Sequence, residues 1–276
     1  MPQPIKYHGG KHYLAKRINE LMPEHVHYCE PYCGGCSVLL EHDPENHSEV
    51  INDVDSDLVN FWECLRNSVQ FLQLHAELLD TPFSQQRFDE SYERLSNRVP
   101  HHLDTRCPLD LQRAIDFFVV ARMSRAGQGK CFATLSRTRT RRGMNEQASS
   151  WITSVDGMPE VHSRLRQVVI TCMDAIEFIK QQDGPNTLFY CDPPYLHATR
   201  TARQVYRHEM SEDQHAVLLA TLSGIQGKYM LSGYRSDLYD AWSSRVGNGR
   251  HDFSLPNNAA SGKSKRRMTE CVWVNF

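Results

Sequence analysis

The absences in this sequence already narrow its class. No run of about 18 consecutive apolar residues occurs, so no transmembrane helix is expected. The opening, MPQPIKYHGGKHYLAKRINELMP, has no apolar core of a signal peptide, and a cytoplasmic location follows as the expectation. Neither sign of charge is in excess: 31 Lys and Arg against 33 Asp and Glu leave a net charge of −2. That excludes a uniformly basic nucleic-acid coat, but not a local basic surface. There is no G-x-G-x-x-G dinucleotide fingerprint and no H-E-x-x-H metal motif among the 14 histidines. Only one C-x-x-C pair exists, within Cys29-x3-Cys33-x2-Cys36, whereas zinc takes four ligands, often as two pairs. His42 and His47 complete a set only on paper, and no metal is expected.

What is present is ordinary for a soluble globular chain, with 40% hydrophobic and 23% charged residues. At about 150 residues per domain, 276 residues make two domains, or one large α/β domain with an insertion. Nine cysteines, an odd number in a chain without an export signal, argue for reduced thiols.

Along the chain, VHYCEPY (26–32) reads as an apolar strand entering a turn at Gly34-Gly35, and SVLLEH after it as the start of a helix. SEVIND (48–53) reads as a second strand ending on an acid. Over 54–79, Leu58, Phe61, Trp62, Leu65, Phe71, Leu72, Leu74, Leu78 and Leu79 recur at helical steps. A strand, a glycine turn, a helix and a strand make a parallel α/β unit.

Residues 80–165 break that rhythm. Leu111–Arg122 is a helix candidate, and the Ser-, Thr-, Gly- and Arg-rich stretch after it reads as loops and a hairpin. Residues 158–167 form a short helix with Pro near its start. The α/β rhythm returns with strands at 168–171, 187–195, 228–233 and 271–275 and helices at 173–182 and 211–225. Ser211 and Gln214 have capping-box spacing in the last helix. The expected fold is therefore α/β. Residues 1–60 and 165–276 would build one Rossmann-like parallel sheet, and 61–164 would be a mainly helical and loop insertion.

Five segments carry chemistry. Asp192-Pro193-Pro194-Tyr195 sits where an apolar strand stops, the place where open α/β sheets bind ligands. Two prolines stiffen the backbone and remove two N–H donors but keep their carbonyls. A rigid carbonyl beside a carboxylate is a paired acceptor for an amino group. The Tyr195 ring offers a stacking face, worth roughly 1–3 kcal/mol per base. A strand-ending turn with a buried Tyr is the alternative. Second, Glu30-Pro31-Tyr32-Cys33-Gly34-Gly35-Cys36-Ser37 is a glycine turn between strand and helix that lets backbone approach a ligand. No Gly-Lys-Ser/Thr follows it, so a cofactor without a phosphate fits better; a tight structural turn is the alternative.

Third, Asn52-Asp53 ends the next strand, where such folds hold ribose hydroxyls; a helix cap explains Asp53 equally. Fourth, Tyr7-His8-Gly9-Gly10-Lys11 again permits close backbone approach, with Lys11 available to a carboxylate; a solvated arm is the alternative. Fifth, Arg122, Arg125, Lys130, Arg137, Arg139, Arg141 and Arg142 form an acid-free basic run, and Lys263, Lys265, Arg266 and Arg267 a second. Two such clusters in a chain of net charge −2 mean segregated charge, which phosphate contacts need. Ser124 and the neighbouring hydroxyls of Thr134, Ser136, Thr138 and Thr140 add donors.

Together, I-K-Y-H-G-G-K (5–11), E-P-Y-C-G-G-C-S-V (30–38), N-D-V-D-S-D-L (52–58), the basic insert and D-P-P-Y (192–195) resemble the Dam-type DNA adenine-N6 methyltransferases, class D12 or α group. The resemblance extends to K-Y-M-L-S-G-Y (228–234) and T-E-C-V-W-V-N (269–275). It implies methyl transfer from S-adenosylmethionine to adenine N6 in duplex DNA, with S-adenosylhomocysteine as product. A base flipped out of the helix would meet Asp192, Pro193, Pro194 and Tyr195. By motif, Tyr7, Lys11, Glu30, Tyr32, Gly34, Gly35, Asp53 and Asp192 take the cofactor positions, beside Gly9 and Gly10. Where the family commonly has Phe, a third Gly and an N-terminal Trp, this chain has Tyr32, Cys36 and Tyr7. Bacterial or phage origin and a cognate restriction enzyme go with the same resemblance. The alternatives are an N4-cytosine methyltransferase, which more often has Ser in place of Asp192, and a silent DNA-binding module of the same fold. The missing dinucleotide fingerprint disfavours an oxidoreductase.

Overall fold

Strands form where β-branched and aromatic residues cluster, and helices begin where Ser, Asp or Asn can accept the first free amide groups. The computed structural model of the protein describes residues 1–98, 108–200, 207–256 and 267–276. In chain order its elements are α1 (Ala15–Asn19), β1 (His27–Glu30), β2 (Ser48–Asn52), α2 (Ser56–Arg66), α3 (Ser68–Asp80), α4 (Gln85–Ser96) and α5 (Leu111–Met123). Then come β3 (Thr140–Arg141), β4 (Met144–Asn145), α6 (Glu146–Asp156), α7 (Met158–Leu165), β5 (Val168–Thr171), α8 (Ala175–Gln182) and β6 (Thr187–Cys191). The chain continues with α9 (Glu212–Leu222), β7 (Lys228–Gly233), α10 (Asp237–Val246), β8 (Gly249–Pro256) and β9 (Arg267–Val274).

These elements form two compact units. The first comprises Met1–Met22, Cys33–Glu45 and Asp53–Met173; the second comprises Pro23–Tyr32, Asn46–Asn52 and Asp174–Phe276. In the second unit six strands lie in the order β2–β1–β6–β7–β9–β8. β2, β1, β6 and β7 pair in parallel, and β9 and β8 turn antiparallel. The residues of β6 are all buried, as the apolar run TLFYC requires of a central parallel strand. α9 carries the capping box expected of Ser211 and Gln214, with both reciprocal bonds formed.

The first unit is mainly helical. Phe61 on α2 packs on Phe117 and Phe118 of α5, and Phe118 meets Trp151 of α6 with ring centroids 5.1 Å apart. Arg113 on α5 is ion-paired with Asp57 and bonded to Ser56 on α2, both groups drawn out of water.

One local expectation is refined here and two are corrected. The helical spacing over 54–79 is two helices, because the Asn67 side chain accepts from Val69 and Gln70 N–H and starts α3 afresh. The helix expected after Gly35 is a single 3-10 turn over Leu39–Glu41. The polar stretch before 158 holds α6 as well as a hairpin. β3 and β4 are joined by Arg142-Gly143, both at positive φ (55° and 74°), the left-handed pair that a two-residue hairpin turn requires. Among the described residues no helix is long and apolar enough to cross a membrane. The eight described cysteines are free thiols.

Candidate functional site

β1, β2 and β6 run parallel, so their carboxyl ends fall on one edge of the second unit's sheet. β1 ends on Glu30, β2 on Asn52, and β6 on Cys191 immediately before Asp192. That edge is where an open parallel sheet receives its ligand. Glu30 is buried and accepts the Tyr28 hydroxyl at 2.8 Å. Asn52 is buried and donates to the Pro31 carbonyl at 3.1 Å, which ties the end of β2 to the chain leaving β1. Asp192 is half-buried, between buried Cys191 and buried Pro193. Tyr195 is 6% exposed. Its hydroxyl donates to Glu270 on β9, and its ring meets the Tyr234 ring edge-on at 4.8 Å. The Tyr195 ring is therefore held from two sides.

In the first unit the glycine turn is braced at both of its polar groups. The Gly34 N–H donates to Asp53 Oδ2 at 3.0 Å, and the Gly34 carbonyl accepts from Trp62 Nε1 at 3.1 Å. Gly34 sits at φ +45°, and a Cβ there would lie 2.9 Å from the Tyr7 ring. A Cβ at Gly35 would lie 3.1 Å from Tyr7 Cβ. The glycines are thus required by the packing of Tyr7 on the turn, so the segment around Tyr7 is docked and not a solvated arm. Lys11 is buried and its Nζ donates to the Gly9 carbonyl at 2.9 Å. A Cβ at Gly10 would lie 3.1 Å from the Tyr7 carbonyl. Tyr32 is half-buried.

Asp53 also accepts the Asp55 N–H at 3.0 Å. Burial pushes its carboxyl up to about 7, against the lowering effect of these amide donors and with a further push from Asp55. The cap of α2 is Asp55, which accepts from Asp57 and Leu58 N–H, so the cap alternative for Asp53 does not hold.

The basic run divides into buried and exposed members. Arg122 is 7% exposed and donates to Ser150 through its Nη2; burial brings its guanidinium down to about 10. Ser124 is buried and accepts the Gly129 N–H. These two do not belong to an exposed phosphate-binding face. Arg125, Lys130, Arg137, Arg139, Arg141 and Arg142 are exposed. Arg139 pairs with Glu146 at 3.0 Å, and Arg142 donates to Ser149 and Thr153 of α6, which anchors the hairpin turn. Lys263, Lys265 and Arg266 lie outside the described residues; Arg267 opens β9.

Sequence reasoning missed Glu270, Trp62, His215 and Tyr239. His215 carried a signal: with Leu218, Leu219 and Leu222 it occupies the i, i+3, i+4, i+7 stripe of α9, a core position for a titratable ring.

A mostly parallel sheet with a carboxylate and two prolines at the end of a central strand is consistent with a methyltransferase fold. Comparison with known proteins narrows the class. Residues 7–259 match the family described as D12 class N6 adenine-specific DNA methyltransferase, and the chain belongs to that family. It is similar to a DNA N-6-adenine-methyltransferase of Escherichia phage P1, 25% identical over 194 residues, 69% of this chain and 24% of that protein. It is similar to a DNA adenine methylase of Vibrio cholerae, 26% identical over 206 residues, 72% of this chain and 66% of that protein. A Type II methyltransferase of Lactococcus lactis subsp. cremoris, M1.LlaDCHI, is 26% identical over 291 residues, 98% of this chain and 94% of that protein. The chain thus spans less than two thirds of the first two relatives.

Proposed function

We propose that this protein transfers a methyl group from S-adenosylmethionine to the N6 amino group of adenine in duplex DNA. Family membership supports the reaction. The observation that carries it to particular residues is the half-buried Asp192 carboxylate beside the buried Pro193, at the carboxyl end of β6. A flipped adenine presents two N6–H donors. Asp192 and the Pro193 carbonyl accept one each, which favours a pyramidal nitrogen whose lone pair points away from both acceptors. Because Pro193 and Pro194 have restricted φ, the acceptor pair needs little reorganisation. Tyr195, tethered through Glu270, supplies a fixed ring for the base.

S-adenosylmethionine, when bound, supplies an electrophilic methyl on a sulfonium. Buried Glu30 and buried Asp53, each within its own unit, have chemistry that suits such a ligand, since a carboxyl group accepts hydroxyl donors whether or not it is ionised. Tyr7, Gly9, Gly10, Lys11, Tyr32, Gly34 and Gly35 complete the cofactor set. In this reading residues 1–60 and 165–276 are the catalytic domain and 61–164 recognise the target. Arg125, Lys130, Arg137, Arg139, Arg141 and Arg142 contact phosphates. A restriction enzyme sharing the DNA site is the proposed partner in the cell, and the cytoplasm the proposed location.

The test is labelled methyl transfer to duplex DNA, with the modified nucleoside identified by mass spectrometry. N6-methyladenine is expected, and Asp192→Ala should cut the rate about a hundredfold or more. Methylated cytosine, or full activity in the folded variant, overturns the reading.

A further inference from the structure

His215 stands on α9, outside the five segments read as carrying chemistry, yet it is 0% exposed. Its ring is fixed on one side: Nδ1 lies 2.9 Å from the Tyr239 hydroxyl of α10, and the two rings meet edge-to-face with centroids 5.8 Å apart. Tyr239 in turn packs on Trp242 and Trp273, so the hydroxyl is not free to swing. The other nitrogen, Nε2, is buried and makes no hydrogen bond of good geometry. The Pro194 carbonyl is near enough to act on the ring as a hydrogen-bond acceptor. Burial is the main reason the imidazole stays neutral, at about 4, with Arg200 and His197 lowering it further and the Pro194 carbonyl opposing. A neutral imidazole has one N–H to give, and a buried N–H without a partner costs stability.

We propose that His215 is a positioning residue for the Asp192–Tyr195 loop: with Nδ1 accepting the Tyr239 hydroxyl, Nε2–H is directed at the Pro194 carbonyl and closes on it when the target base is seated. The coupling is short. Proline fixes φ at residue 194, so the Pro193 carbonyl and the Pro194 carbonyl are linked by a single free torsion, ψ of Pro194. Holding the second carbonyl therefore aims the first, which is an acceptor for the base. Hydrogen bonds of this kind are often long in a ligand-free site and tighten in the complex. No proton is transferred and no bond is broken. The inference rests on the reading of Asp192 and Pro193 given above.

The experiment combines single-turnover kinetics with the tautomer of the ring in the full chain. Imidazole nitrogen shifts in ring-labelled protein should show Nε2 protonated and Nδ1 bare. The opposite tautomer would set a bare Nε2 against a carbonyl and overturns the proposal, whether or not the protein is active. His215→Leu should lower kcat about a hundredfold, as expected for misplacing an acceptor in a preorganised site, while KM for DNA and affinity for S-adenosylmethionine change less than about threefold. His215→Gln, which keeps an N–H donor near the Nε2 position, should recover at least about tenfold of that loss. Should the Leu variant fail to fold, Tyr239→Phe, which releases Nδ1 but keeps the ring, should lower kcat about tenfold at unchanged KM. Wild-type kcat in these variants, or equal losses in Leu and Gln variants of equal stability, overturns it. Absence of methyl transfer by the wild-type protein instead overturns the reading of Asp192, and the tautomer measurement stands apart from that result.

Discussion

Asp53 Oδ2 accepts the Gly34 N–H at 3.0 Å, which ties the acid after β2 to the glycine turn 19 residues earlier in the chain. The same carboxyl that is proposed to meet the cofactor thus holds the turn in shape. It does so from a buried position that raises its proton affinity.

Asp53 should therefore make the cofactor-free protein lose stability as pH rises. Its carboxyl lies near 4 in the unfolded chain and about 7 in the fold, so between those values the fold holds a proton the unfolded chain has released. The contribution is fully present below about pH 4 and is lost through pH 7, at a slope of up to about 1.4 kcal/mol per pH unit. Urea midpoints of wild type and Asp53→Asn between pH 5 and 8.5 should diverge, with the wild type falling faster. A constant difference would show that Asp53 titrates normally.

Cys36 occupies the left-handed region at φ 54° with its side chain 0% exposed. A β-branched side chain tolerates that backbone poorly, whereas Gly accepts it. Cys36→Val should destabilise by about 2 kcal/mol or more. Cys36→Gly should fall within about 1 kcal/mol of wild type, since relief of strain offsets the lost burial. Denaturant unfolding measures both, and an innocuous Val would remove the strain argument.

Among the arginines, exposure should sort DNA effects from stability effects. Neutralising Arg137 and Arg141 together should weaken DNA binding and reduce the log K against log salt slope by about one unit per lost phosphate contact. Arg122→Ala should instead lower stability, because its guanidinium is buried against Ser150. If the salt slope survives removal of Arg137 and Arg141, those residues form only a solvated face.

The tie between Tyr195 and Glu270 should matter more for the carboxylate than for the phenol. Tyr195→Phe leaves buried Glu270 without its hydroxyl donor and should cost about 1–3 kcal/mol. Glu270→Gln keeps an acceptor for the hydroxyl and should cost less. Equal losses in thermal or urea unfolding would mean that the carboxylate depends on the bond no more than the phenol does.

Much of the α/β framework was legible from local patterning. The runs HYCE, SEVIN, TLFYC and KYMLSG are short, apolar and bounded by turn residues, and each is a strand of the structure. β8 and α10 escaped because GRHDFSLP holds one buried apolar side chain, Phe253, among its described residues and DLYDAWSSRV only two, Tyr239 and Trp242, so neither makes an apolar run. The division at Asn67 escaped because the apolar spacing continues through it while the cap belongs to one side chain.

For the site, the sequence alone determined that a carboxylate and two stiff carbonyl-bearing residues follow a buried strand, since Asp-Pro-Pro is covalent geometry and the strand is an apolar run. It also determined a glycine turn, a second acid and a basic run. Only the tertiary structure decided what these do for one another. It assigned the glycines to the Tyr7 ring, gave the α2 cap to Asp55, and drew Arg122 and Ser124 inside while leaving Arg137 and Arg141 outside. It also brought His215 to Pro194 and Glu270 to Tyr195, partners 21 and 75 residues apart. Local propensity acts over a few residues, whereas burial and long-range pairing depend on how the whole chain packs.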